Sequence, residues 1–179
     1  PPLQTTILAI KESPVPLAST QIFNLVNKFA PNLNAKGIVG RLHEEGTGIY
    51  PLSHGTFGSI DHIKLNDKDY HKVIIICEKF ALDNSEKQFH TRSIIKLIPK
   101  YLSETLDEFK LSALMRHNNI SNYIGRNMFG AKDETRRTVR EIAISILEKN
   151  NELMFQTDLL TEIRKERELI HEQIFEKPP

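Results

Sequence analysis

The chain has one cysteine, no tryptophan, almost no net charge and no long hydrophobic run. Each shortage closes a class of function. A lone thiol, Cys77, cannot form an internal disulfide and fits a reducing compartment, so an intracellular location is expected. Within VIIICEKFAL it reads as a small buried hydrophobe rather than a nucleophile. No stretch approaches the ~18–20 apolar residues of a membrane span, and no membrane partner is expected. The opening PPLQTTILAIKESP has neither the basic start nor the apolar length of a signal peptide. Twenty-four basic residues meet twenty-three acidic ones, and the balance holds locally: 5 against 4 over 1–64, 11 against 10 over 65–134, 8 against 9 over 135–179. Any affinity for nucleic acid must then come from how charges are arranged, not from their sum. The seven histidines and Cys77 make no CxxC or HExxH spacing, so no metal and no cofactor is expected. With no P-loop and no GxSxG, the chain is not expected to be an enzyme; catalysis would lie elsewhere in a parent protein. Asp67 and Asp69 precede a helix and complement its dipole rather than forming a carboxylate pair.

What the chain does have is repetition. Pro16–Gly58 laid over Gln88–Gly130, at an offset of 72 and without a gap, puts Leu17 on Phe89, Ile22 on Ile94 and Val26 on Ile98. It also puts Val39 on Leu111, Leu42 on Leu114 and Phe57-Gly58 on Phe129-Gly130. A third copy follows at an offset of 66, where Val139–Arg164 lies over Val73–Ile98, with Asn150, Glu152 and Phe155 matching Asn84, Glu86 and Phe89. Apolar positions falling on apolar positions is what a shared core requires. Units of this size are marginal alone, so neighbours should pack together.

The units share a grammar. In the first, a short helix near Thr5–Lys11 ends before Pro14 and Pro16. Ser19 or Thr20 caps a helix over Gln21–Phe29, and Asn34 caps a third over Ala35–Glu45 with Ile38, Val39 and Leu42 inward. Strands Ile49–Leu52 and Thr56–Ile60 flank the tip Ser53-His54-Gly55. In the second, Lys68–Asp83 is helical, Phe89 and Thr91 start a helix whose apolar face is Ile94, Ile95, Leu97, Ile98 and Tyr101, and Pro99 ends or kinks it. Ser103 or Thr105 caps a third helix over Leu106–His117 with Leu111, Leu114 and Met115 inward. Asn118-Asn119 closes it. A strand over Ile120–Ile124 and the turn Gly125-Arg126-Asn127 follow.

Three helices and a β-hairpin, carried by PLASTQI, GRLHEE and HGTFGS and again by QFHTRSI, SALMRH and RNMFGA, resemble winged helix-turn-helix domains, the HARE-HTH subgroup most nearly. The resemblance covers about 120 residues and implies a mainly α fold with small β-hairpin wings, as tandem winged helix-turn-helix units. The expected domains are 1–64, 65–134 and a partial third repeat over 135–179, whose Arg164–Lys177 lacks wing and glycine and reads as a helix that packs on the second unit or docks on a protein partner. The implied role is sequence-specific recognition of double-stranded DNA, as in a transcription regulator or the target-recognition part of a restriction enzyme. The alternative is a protein–protein interaction module within a larger assembly.

In such a domain the third helix enters the major groove and the wing reaches the backbone. The expected DNA contacts are Lys36, Arg41, His43 and His54 in the first unit. In the second they are Lys110, Ser112, Arg116, His117 and Asn118 on the helix, Arg126 and Asn127 on the wing, and Arg136 and Arg137 beyond it. The outer face of the second third-helix, with Ala113 also outward, carries the richer set. A continuous positive stripe through Lys36, Arg41, Arg116 and Arg126 would favour DNA, whereas an apolar patch including Phe109 would favour a protein partner.

Overall fold

A computed structural model describes residues 2–42, 44, 46–85, 88–130, 139–150 and 154–167. The first half runs α1 (Pro2–Glu12), β1 (Leu17–Ala18), α2 (Ser19–Phe29), α3 (Ala35–Arg41), β2 (Tyr50–Ser53) and β3 (Thr56–Gly58). A 3-10 turn at Ile60–His62 leads on to α4 (Asp67–Asp83), β4 (Phe89–His90) and α5 (Thr91–Ile95). A second 3-10 turn, Lys100–Leu102, precedes α6 (Glu108–His117), β5 (Asn122–Gly125) and β6 (Met128–Gly130). The pair α7 (Val139–Asn150) and α8 (Gln156–Arg167) completes the described residues. The protein is mainly helical, with two small antiparallel sheets of order β1-β3-β2 and β4-β6-β5.

The internal repeat extends to strand register. Leu17 pairs with Phe57 as Phe89 pairs with Phe129, and Tyr50 pairs with Gly58 as Asn122 pairs with Gly130. Even the irregularity recurs, between Pro51 and Ser53 in one sheet and between Tyr123 and Gly125 in the other. Each sheet has a third strand that periodicity did not reveal, because β1 and β4 are two residues long, too short to show an alternation.

Helix starts follow capping chemistry, with corrections. Asn34 caps α3, its side chain accepting from the Gly37 N–H at 3.3 Å. Neither Ser19 nor Thr20 caps α2; the cap position is Ala18, whose N–H is held by the Gln21 side chain at 2.8 Å, while Ser19 ties to the Gly55 carbonyl in the hairpin turn. Asp107, not Ser103 or Thr105, caps α6, accepting from the N–H groups of Phe109 (3.0 Å) and Lys110 (2.9 Å); a carboxylate is the stronger acceptor for a helix N-terminus. His90 rather than Thr91 caps α5, since Thr91 is buried and donates its hydroxyl to the Glu108 carbonyl at 2.9 Å. Because α5 stops at Ile95, Leu97 and Tyr101 leave its apolar face and are exposed. The helix ends before Pro99, whose ring cannot continue it.

Ile10, Ile22, Val26, Ile38, Val39, Leu42, Ile49 and Phe57 form one core. The larger core joins Val73, Cys77, Ile94, Leu111, Leu114, Met115 and Phe129. Tyr50, Leu52 and Ile63, all from the first half, belong to this second core. Gly58 is where β2 and β3 close up: a Cβ there would lie 2.7 Å from Leu52 Cδ1 and 3.0 Å from His62 Nδ1. A third, small cluster holds Ile142, Ile146 and Ile163 between α7 and α8.

Candidate functional site

The two helices expected to carry recognition have opposite fates. α3 is short, and Lys36, Gly37, Gly40 and Arg41 all face solvent. Its inward residues Ile38, Val39 and Leu42 are buried, as their spacing requires. Around Gly40 no atom lies within 4 Å of a notional Cβ. Arg41 forks onto Glu44 with contacts of 3.0 and 3.3 Å, which holds its guanidinium pKa above the ordinary value. Lys36 is exposed on the same face.

α6 is largely covered instead, although His117 at its last turn is exposed. It packs against β2 and against the 3-10 turn at Ile60–His62, both from the first half. The His54 ring, at the tip of the first hairpin, stands edge-on to Phe109 with centroids 4.8 Å apart. Two turns further along, the Arg116 guanidinium lies 5.2 Å from the Tyr50 ring centroid and 4.3 Å from that of Tyr123. The Tyr50 hydroxyl approaches His117 Nδ1 at 3.4 Å. Burial raises the Tyr50 pKa, partly offset by the Arg116 charge.

This overturns part of the sequence reading. Ser112 and Ala113, expected to point outward, are 3% and 1% exposed. They lie between Phe109 and Arg116 at helical spacing, on the face that the first hairpin occupies. Asn127 was expected on an open hairpin tip but is 7% exposed, its carbonyl accepting from the Thr91 N–H. Lys110 is half-buried, its ammonium donating to the Thr105 carbonyl at 2.6 Å. Asn118 closes α6, donating to the Leu114 carbonyl and to the Tyr70 hydroxyl, each at 2.8 Å. Arg126 is exposed at the second turn, where it and Asn127 adopt φ of 50° and 60°. His43, Arg136 and Arg137 lie outside the described residues. Lys36 and Arg41 share α3, whereas Arg116 lies over the rings of Tyr50 and Tyr123.

At the junction of the two halves lies a cleft of ≈ 590 Å³ lined by Glu44, Thr47, Tyr50, Arg116, Asn119 and Tyr123 among others. Sequence reasoning missed it because its walls come from loops some 70 residues apart. Asn119 and Ser121 on its rim have φ of 54° and 62°, conformations that an asparagine tolerates better than a serine.

Among the described residues no group of three or more His, Cys, Asp or Glu could hold a metal ion. None of their helices is long and apolar enough to cross a membrane. Cys77 is buried, and desolvation with the nearby Glu78 pushes its thiol pKa up to about 12, so it stays protonated at neutral pH. Comparison with protein-family models, with curated proteins and with solved structures finds no match to this chain.

Proposed function

We propose that this chain is a double-stranded DNA-binding module of two tandem winged helix-turn-helix units, in which the first unit reads the groove and the second is held behind it. The reading is supported by an element order that occurs twice: helix, short strand, two helices, then two strands closing a three-stranded antiparallel sheet. The observation that carries it is the open face of α3, where Lys36 and Arg41 flank two exposed glycines. A glycine surface lets the backbone come close to a partner, and a helix of this width fits the major groove. Arg126, exposed at the turn of the second hairpin, adds a cation for the phosphate backbone. Catalysis is not part of the proposal; such a module would serve a transcription regulator or the target-recognition part of a larger DNA-processing protein such as a restriction enzyme.

A second reading, a protein-interaction module, is favoured by one specific observation. The outer face of α6, the richer of the two candidate surfaces, is already used for packing between protein elements.

Fluorescence anisotropy with random duplex DNA at ~50 and ~200 mM salt separates the two readings. Salt-sensitive binding is expected, and Lys36→Ala/Arg41→Ala should reduce the slope of log K against log salt by about 2, two phosphate charges being lost. Arg116→Ala should weaken binding only as far as it loosens the junction. Absence of binding by folded protein at the lower salt would refute the DNA reading and leave the protein-docking one.

A further inference from the structure

Eight of the described residues have positive φ. Gly55, Gly125, Arg126 and Asn127 belong to the two hairpin turns, where chain reversal calls for that conformation. The other four, Gly46, Gly48, Asn119 and Ser121, have φ of 83°, 67°, 54° and 62°, and all of them line the junction cleft. They come from equivalent connections of the two repeats, the loop from α3 to β2 and the loop from α6 to β5. In each loop two left-handed residues bracket one, Thr47 or Ile120, that is not left-handed. Alternation of this kind can turn successive N–H groups to one side, where they attract an anion. No hydrogen bond within the described residues uses the N–H of Gly48 or Ser121, or the side-chain amide of Asn119.

Arg116 brings charge to the same cleft. Its guanidinium lies over Tyr50 of the first repeat and Tyr123 of the second, so the rings hold it by its faces and leave its N–H groups to donate in its own plane. The Lys11 ammonium lies against Gly48, 3.1 Å from where a Cβ would stand. Glu44, the acidic residue of the lining, forks onto Arg41, which offsets its charge. We propose that the junction cleft binds a small phosphorylated ligand, its phosphate held by Arg116, the Asn119 amide and the N–H groups of Gly48 and Ser121. Donors contributed by two separate loops suit a group with oxygens on every side, as a phosphate has and a planar carboxylate lacks. At ≈ 590 Å³ the cleft has room for more than a phosphate, and the meeting of two structural units is a common place for a small-molecule site. The inference does not rest on the proposed recognition of DNA.

An NMR titration of the whole chain with inorganic phosphate tests this, beside sodium chloride at matched ionic strength to remove screening effects. The backbone amides of Gly48 and Ser121 and the side-chain amide of Asn119 are expected to shift along one saturating curve with phosphate and not with chloride. Arg116→Lys keeps the charge but loses the planar fork, and should raise the Kd about tenfold. Asn119→Gly removes the amide at a position whose φ glycine tolerates, so the fold is kept while the Kd rises severalfold. Amides that do not move by ~50 mM phosphate would overturn the proposal, as would shifts centred on exposed lysines such as Lys36, or a Kd unchanged in both variants. A duplex DNA arm identifies the source of the phosphate. The same three amides shifting with duplex, and duplex affinity falling about tenfold in Asn119→Gly, would give the cleft to the DNA backbone and overturn the small ligand. Duplex that does not bind at all would count against the recognition function and leave the phosphate result standing.

Discussion

The His54 imidazole meets the Phe109 ring edge to face, centroids 4.8 Å apart and planes 69° from parallel. The two residues are far apart in sequence and belong to different repeats. Their contact marks where the tip of one hairpin rests on the helix of the next repeat. Phe109 was the residue whose exposure would have signalled a partner protein; its partner lies within the chain. Behind it, Leu52 and Tyr50 enter the core of the second repeat, so the two halves share apolar surface rather than merely touching.

Shared surface of this kind should couple the halves energetically. Leu52 is 3% exposed, and Leu52→Ala should cost about 2–5 kcal/mol, mostly as lost packing and residual cavity. His54→Ala should cost less, and a double-mutant cycle with Phe109→Ala should return about 0.5–1.5 kcal/mol for the ring contact. Chemical denaturation followed by circular dichroism measures each. A cycle energy of zero would mean that the hairpin tip lies free of α6 in solution.

Two glycines should respond in opposite directions. Gly40 lies in an exposed helix with open space around it, so Gly40→Ala should stabilise by about 0.5–1 kcal/mol through reduced unfolded-state freedom. Gly58→Ala would drive its methyl into Leu52 and into His62, which is itself held by Ser59 and Ser13, and should cost about 1–3 kcal/mol. Thermal melts decide both. If α3 does read a groove closely, Gly40→Ala should weaken DNA binding while raising the melting temperature.

Asp69 supplies a pH prediction. Its pKa is lowered, chiefly by the Tyr101 hydroxyl donating at 2.7 Å, with Asn66 and the lysines at 68 and 72 adding to the effect. A carboxylate lowered on folding stabilises the protein above its unfolded pKa, near ~3.9, and that contribution is lost as pH falls through the lower folded value. Tyr101→Phe should therefore move the Asp69 titration upward in an NMR pH series. An unchanged midpoint would show that the hydroxyl is not what holds it down.

The repeat, the helix positions and most of the core follow from the chain by itself. Apolar spacing at 3.6 residues placed Ile38, Val39, Leu42, Leu111, Leu114 and Met115 inside, and Asn34 marked the start of α3. Local chemistry is sufficient there, because a helix buries one stripe whatever its neighbour is. It is insufficient where a second stripe is also covered. Nothing within Phe109–His117 distinguishes an outer face open to solvent from one beneath another repeat's hairpin, and Ser112 is small and polar enough to suit either. The junction cleft, the burial of Ser112, Ala113 and Asn127, and the contrast between an open α3 and a covered α6 were decided by tertiary structure alone. Which surface remains free for a partner depends on contacts between residues some 55 to 70 positions apart, and no local pattern of hydrophobicity or charge records them.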